Sequence, residues 1–309
     1  MDRLHPTAVR YIKLGPSGAW LPRCIEEGII EFGHGAVPHE VAAEATRAEL
    51  AQMFFEEGRT ASKATDFARE IADFYELGSD CLWITIGEGR LWWCFAEPEV
   101  LPCAGEGRGA RYRRVVDRWR DSDLNGQVLS LGSLSTRLTK VAAYRQTLCR
   151  VEAEDYLLRR INAVVDPAVA RAQEAQAETI GSARALIEGL DWRDFEVLVD
   201  LIFGGSGWRR SSGVGGSDQA DSDLVLEQAV TGERAFVQVK SRASAATLKD
   251  YIDRFRSSPG FDRLFFVCHS PSGSLPPVDE PDVHVWLGDK LAEQAVHAGL
   301  LDWLIAKAR

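Results

Sequence analysis

The chain has no CxxC pair among its six cysteines, Cys24, Cys81, Cys94, Cys103, Cys149 and Cys268. A thiolate zinc site needs closely paired ligands, so this scatter argues against one and fits reduced thiols in a cytoplasm. His5, His34, His39, His269, His284 and His297 show no metal-ligand spacing either, although His34 and His39 share a Gly/Pro loop from which they could contact a ligand. No apolar run approaches the ~18 residues that span a bilayer, and the opening MDRLHPTAVRYIKLG lacks an apolar signal core. The long Gly/Ser stretch GGSGWRRSSGVGG has no GKS or GKT ending and no GxGxxG spacing, which excludes a nucleotide-cradling loop. Neither a cysteine nucleophile nor a Ser/His/Asp set stands out, and no internal repeat is visible.

What is present is a globular composition of 309 residues, 45% hydrophobic and 27% charged, a length that suits two domains. The net charge of −10 is unevenly spread. Residues 108–160 hold twelve Lys and Arg against six Asp and Glu, densest in RGARYRRVVDRWR. Screening confines the field of such a patch to roughly 8 Å at physiological salt, so a locally basic surface on an acidic protein can still bind phosphate. Arg111, Arg113 and Arg114 are the candidate DNA contacts there. The plainer alternative is a solvated helix face.

Residues 1–165 read as one unit rich in short strands. AVRYIKLG and CLWITIGEGRLWWCFA are β-type runs, the second broken by a hairpin-like GEG. The stretch from Ala45 to Gly78 carries helical periodicity. GQVLSLGSL and TLCRVEA would supply later strands, giving a small, partly closed β-barrel with helices. Residues 166–188 read as a charged, Ala-rich linker helix. Residues 189–309 follow the order α-β-β-α-β-β-α, which predicts a mixed sheet flanked by helices. Asp191 is placed to cap the first of these helices, with Phe195, Leu198, Val199 and Ile202 on its apolar face.

In AFVQVKS, Ala235, Val237 and Val239 share one face of a strand, and Phe236, Gln238 and Lys240 share the other. Burial accounts for the valines, but an amine beside an amide needs a polar role or water. Asp223 opens the preceding strand, and Glu196 lies on the helix before it. Oxygen donors of this kind suit Mg²⁺, and a lysine nearby can orient a water and offset charge on a phosphodiester. The chemistry implied is metal-assisted phosphodiester hydrolysis. The alternative assigns Asp223 to a turn, Glu196 to a solvated helix face, and Gln238 and Lys240 to a sheet edge. Asp218 and Asp221 read as turn residues, with Asp221 the spare candidate.

DFEVLVDLIF ahead of a Gly-rich loop, GVGGSDQADSDLVLE and FVQVKS together resemble the Mrr-like catalytic domain of the PD-(D/E)xK nucleases. The resemblance implies Asp223 as metal ligand, Gln238 in the place usually held by Glu or Asp, Lys240 as the catalytic lysine and Glu196 as an accessory carboxylate. It implies Mg²⁺ as cofactor, with Mn²⁺ able to substitute. Trp208, Arg209 and Arg210 in the Gly/Ser loop offer a stacking plane and two phosphate ligands.

In the first half, LGSDCLWITI and RLWWCFA are similar to the strand pair of PUA-like domains of the EVE and YTH types. That likeness implies an aromatic pocket for a flipped, modified base, with Trp20, Trp83 and Trp92 as candidates. Alternation sets Trp93 with Leu91 and Phe95, which favours Trp92 as the less core-like of the adjacent pair; the alternative makes most of these tryptophans core. The combined expectation is a cytoplasmic, Mg²⁺-dependent endodeoxyribonuclease of restriction or phage-defence type, whose first domain recognises modified DNA bases and whose second hydrolyses phosphodiesters, working as a homodimer without a membrane partner. Two rivals stand beside it: a first domain that senses a nucleotide signal or protein, and a catalytically inactive DNA-binding protein.

Overall fold

The computed structural model describes residues 3–211 and 224–309. The chain divides into two compact units, Met1–Asp166 and Pro167–Arg309, both mixed α/β.

The first unit runs β1 (Ala8–Ile12), α1 (Leu21–Glu27), β2 (Ile29–Phe32), α2 (His39–Glu44), α3 (Arg47–Glu56), α4 (Ala61–Glu76), β3 (Cys81–Gly87), β4 (Arg90–Pro102), β5 (Arg111–Arg120), α5 (Thr136–Thr139), β6 (Leu148–Arg150) and α6 (Glu154–Ile161). Its six strands curl into a half-barrel in the order β2-β5-β4-β3-β1-β6, with β1 and β3 parallel and the other pairs antiparallel. Strand alternation buries both faces. Cys81, Trp83, Cys94 and Ala96 join Ala64, Ala68, Ile71 and Phe74 of α4 in one core. Leu82, Ile84, Leu91 and Trp93 join Leu138, Leu157 and Ile161 in another.

Local chemistry sets the boundaries. The β3–β4 turn puts Glu88 and Gly89 at φ 54° and 73°, the twist that a two-residue hairpin requires. The helical stretch expected from Ala45 to Gly78 divides into two helices, because Gly58 takes φ 83° after α3. Thr46 and Glu49 form a reciprocal cap on α3, and Thr60 caps α4. Residues 126–134 do not make the expected strand. They form a short turn and isolated bridges, tied back by Leu129 N–H to the Asp121 carbonyl at 2.7 Å.

The second unit runs α7 (Pro167–Glu188), α8 (Trp192–Gly205), β7 (Trp208–Arg210), β8 (Leu224–Gln228), β9 (Arg234–Lys240), α9 (Ala245–Ser257), β10 (Arg263–Cys268), β11 (Val283–Leu287), α10 (Gly288–His297) and α11 (Leu301–Ala308). The five-stranded sheet has the order β11-β10-β9-β8-β7. The pairs β9–β10 and β10–β11 are parallel, and β7–β8 and β8–β9 antiparallel. Ala183 and Ile187 of α7, the helix read as a linker, pack in this unit's core with Phe195, Leu198, Val199, Ile202 and Phe203 of α8. A second cluster on the opposite sheet face holds Phe236, Leu264, Phe266 and Cys268 against Leu248 and Ile252 of α9. The closing helix is broken by Gly299 at φ 73° into α10 and α11.

Candidate active site

Strand β9 is central in its sheet, and its alternation follows the sequence. Ala235, Val237 and Val239 enter the core beneath α8, whereas Phe236 enters the cluster beneath α9. Gln238 and Lys240 follow Phe236 at period two on the α9 face. Gln238 is 1% exposed, so its amide is desolvated in the sheet, while Lys240 at the strand end is half-buried. Gln238 lies opposite Phe266, and Lys240 opposite Cys268. The Lys240 ammonium stands 5.6 Å from the centre of the Tyr251 ring on α9.

The segment joining β9 to α9 is pinned at this end of the sheet. Ser270 N–H donates to the Ser241 carbonyl at 3.1 Å, and Ser272 N–H to the Ala243 carbonyl at 2.8 Å. Ser244 then caps α9 in a reciprocal pair with Thr247. Parallel strands thus end beside a rigidly started helix, a common location for ligand sites in α/β sheets.

Glu196 lies half-buried on α8, next to Phe195. Asp191 caps this helix through the Arg193 N–H at 3.0 Å, and the four apolar residues expected on its inner face are all buried. Asp223, together with Asp218 and Asp221, lies outside the described residues; β8 begins at Leu224, opposite Val237. A carboxylate such as Glu196 and an amide oxygen such as Gln238 are hard oxygen ligands suited to Mg²⁺ or Mn²⁺ rather than to a thiophilic ion, but α8, which carries Glu196, covers the sheet face opposite the one that Gln238 and Lys240 share. Among the described residues no cluster of three His, Cys, Asp or Glu side chains gathers at metal-binding range.

His269, not singled out in the sequence, is buried beside this region. Its ring meets Phe195 edge-on at 4.6 Å, and Nδ1 lies 2.8 Å from the Ser270 hydroxyl. Burial lowers its pKa from the ordinary histidine value, and Arg242 adds to the effect against an opposing pull from Glu188. Its only sequence signal was a polar residue ending an apolar strand.

The Trp-Arg-Arg stretch is an edge strand, not a loop. Trp208 packs inward on Phe203 and Phe265, at 6.4 and 5.9 Å between ring centres, which leaves Arg209 and Arg210 as the exposed pair. The stacking plane expected of Trp208 is therefore taken up by core contacts.

In the first unit the basic run forms strand β5, and alternation divides its arginines. Arg111 and Arg113 are fully buried and do not reach a DNA surface. Arg113 donates to the carbonyls of Glu97 at 2.6 Å and Leu77 at 2.9 Å, and lies 5.3 Å from the Trp83 ring centre. Arg111 donates to the carbonyls of His34 and Val37 and to the Tyr75 hydroxyl. Desolvation lowers the pKa of both guanidinium groups from the ordinary value. Arg114 alternates outward and is exposed.

The tryptophans divide in the same way. Trp83 is fully buried against Phe74, which removes it from a base-binding role. Trp92 is half-buried against the α4 core, and Trp93 is buried. Trp20 is half-buried and lines a pocket of about 550 Å³ with Val37, Pro38, His39, Glu40 and Arg108. Two glycines make room for its ring: a Cβ at Gly15 would stand 2.4 Å from the indole, and one at Gly109 3.1 Å.

Buried charges hold both walls of this pocket. Arg111 fixes the His34–Val37 turn from below. The fully buried carboxylate of Glu31 accepts from Arg23 at 3.0 and 2.7 Å, from Arg108 at 3.0 Å and from Gly109 N–H at 3.1 Å. His34 itself is occupied by Glu70, Nε2 to Oε2 at 3.0 Å, whereas His39 lines the pocket with its Nδ1 2.9 Å from the Tyr75 hydroxyl.

No curated protein and no solved structure matches the chain. Residues 187–268, spanning α8 to β10, match the Mrr_cat restriction endonuclease family, and the second unit therefore contains an Mrr-type restriction endonuclease domain.

Proposed function

We propose that the protein is a metal-dependent DNA endonuclease of restriction or phage-defence type, in which the second unit hydrolyses phosphodiesters and the first reads a modified base. The observation that carries the nuclease half is the pairing of Gln238 and Lys240 on one face of the central strand, within the segment that matches the restriction endonuclease family.

Asp223, Gln238 and Glu196 would hold Mg²⁺, or Mn²⁺ in its place. Bound there, the ion would supply a Lewis acid for the phosphodiester and lower the pKa of a coordinated water. Lys240 orients the attacking water and stabilises charge as it develops on the scissile phosphate. Gln238 contributes a neutral oxygen where a carboxylate is commoner. Its place leaves the site one negative charge short and gives Glu196 and the DNA phosphates more of the work of holding the ion. Exposed Arg209, Arg210 and Arg114 are suited to backbone phosphates. Cutting both strands needs two such sites, which favours a homodimer.

Trp20 supports the reader half. A half-buried indole in a pocket whose walls are preset by Glu31 and Arg111 suits stacking against an extruded base, and His39 and Glu40 offer groups for its polar edge. Cleavage of matched plain and base-modified DNA with Mg²⁺, comparing wild type with Lys240→Ala and Trp20→Ala, tests both halves. The expected result is cutting of one modified substrate, abolished by Lys240→Ala and reduced to the level of plain DNA by Trp20→Ala. Equal cutting of all substrates would reject the base reader. Cutting that starts only with an added effector would favour a signal sensor, and no cutting under any metal or effector would leave a DNA-binding protein.

A further inference from the structure

An amine that serves phosphodiester hydrolysis sits on a flexible stem, and its rotamer freedom opposes accurate placement. The structure supplies a specific restraint. Tyr251 projects from α9 toward the β9 face that carries Phe236, Gln238 and Lys240. Its ring meets Phe236 edge-on at 6.2 Å and lies tilted against Phe266 at 6.0 Å, and both phenylalanines are buried. Phe266 is in turn the cross-strand neighbour of Gln238. Tyr251 is thus anchored to the same two strands that set the site.

Two cations meet this ring. The Lys240 ammonium lies 5.6 Å from its centre, and the Arg254 guanidinium, three residues further along α9, lies 5.1 Å from it. Arg254 is also ion-paired to Asp250 at 2.9 Å. The ring is fixed below by phenylalanines and flanked by a guanidinium from its own helix. Its quadrupole then favours those Lys240 rotamers that keep the ammonium near it. The capped start of α9, only a short link from Lys240, sets the helix register that brings Tyr251 to this point.

We propose that Tyr251 is a positioning residue for Lys240, acting through the face of its ring and not through its hydroxyl. This rests on the nuclease reading above. It goes beyond that reading by giving α9 a part in the chemistry and by assigning a residue outside the strand motif.

The test compares single-turnover cleavage by wild type, Tyr251→Phe and Tyr251→Leu under saturating protein, alongside DNA affinity without metal, melting temperature and the NMR shift of the Lys240 ε-methylene protons. Tyr251→Phe keeps the ring and should cleave within about twofold of wild type, whereas Tyr251→Leu should be about tenfold slower at unchanged DNA affinity. The ε-methylene protons should be shifted upfield by the ring in wild type and Tyr251→Phe, and return to an ordinary lysine value in Tyr251→Leu. Tyr251→Met serves the same comparison if the leucine variant does not fold. Wild-type cleavage by the ringless variant, or equal loss in the phenylalanine and leucine variants, overturns the proposal while leaving the nuclease intact. A wild type that cuts no DNA under any metal overturns the nuclease reading, and the positioning role with it.

Discussion

Arg113 and Arg114 are neighbours in sequence and opposites in role, because successive residues of a strand face opposite sides. Arg113 donates to carbonyls inside the unit, and Arg114 faces water. Arg113→Met should therefore lower the stability of the first unit by about 2–4 kcal/mol, since it leaves buried carbonyls without their donors. Melting by circular dichroism would measure this, and the salt dependence of DNA binding should stay the same. Arg114→Ala should do the reverse, with stability unchanged and the slope of log K against log salt reduced by about one. Composition could not distinguish the two. A buried arginine carries no hydrophobic signal, and RGARYRRVVDRWR reads equally well as a charged surface until its partners in β2 and β4 are known.

At the scale of elements, α8 was the most legible. Asp191 caps it, and Phe195, Leu198, Val199 and Ile202 lie on the face that the 3.6-residue period predicts. Leu198 is fully buried between this helix and the sheet. Leu198→Ala should destabilise the second unit by about 2–5 kcal/mol, as read from denaturant midpoints, with the m-value unchanged. Thr46→Ala, which removes the reciprocal cap of α3, should cost about 1 kcal/mol in the first unit. Other elements were legible only in part. The periodicity from Ala45 to Gly78 gave no warning that Gly58 would turn the chain, since glycine in a helical pattern can be tolerated. Trp208 looked like a loop aromatic because Gly and Ser surround it, yet it pairs as an edge strand and packs on Phe203 and Phe265. The pocket at Trp20 had no periodic signature at all: its walls come from turns at His34–Val37 and Arg108–Ala110, distant in sequence and held by Arg111 and Glu31.

For the whole molecule, two units with separate cores predict two thermal transitions, and Leu198→Ala should move only one of them. The second unit should also respond to acid. His269 and His284 both have pKa values lowered by burial, so the folded form resists protonation while the unfolded chain takes up protons near pH ~6.5. Stability should fall as the pH drops below about 6.5, and His269→Gln should flatten that fall in calorimetric scans from pH 7 to pH 5.

The sequence by itself determined the mixed α/β character of both halves, the placement of Gln238 and Lys240 on one strand face, and the cap and inner face of α8. Each follows from short-range rules: period two in strands, period 3.6 in helices, and the side-chain oxygens that start a helix. Only the tertiary structure decided which arginines and tryptophans face inward, how two distant turns close around Trp20, and that Tyr251 stands beside Lys240. Those outcomes depend on which strands pair and which helix covers them, contacts between residues far apart in the chain that no local pattern encodes.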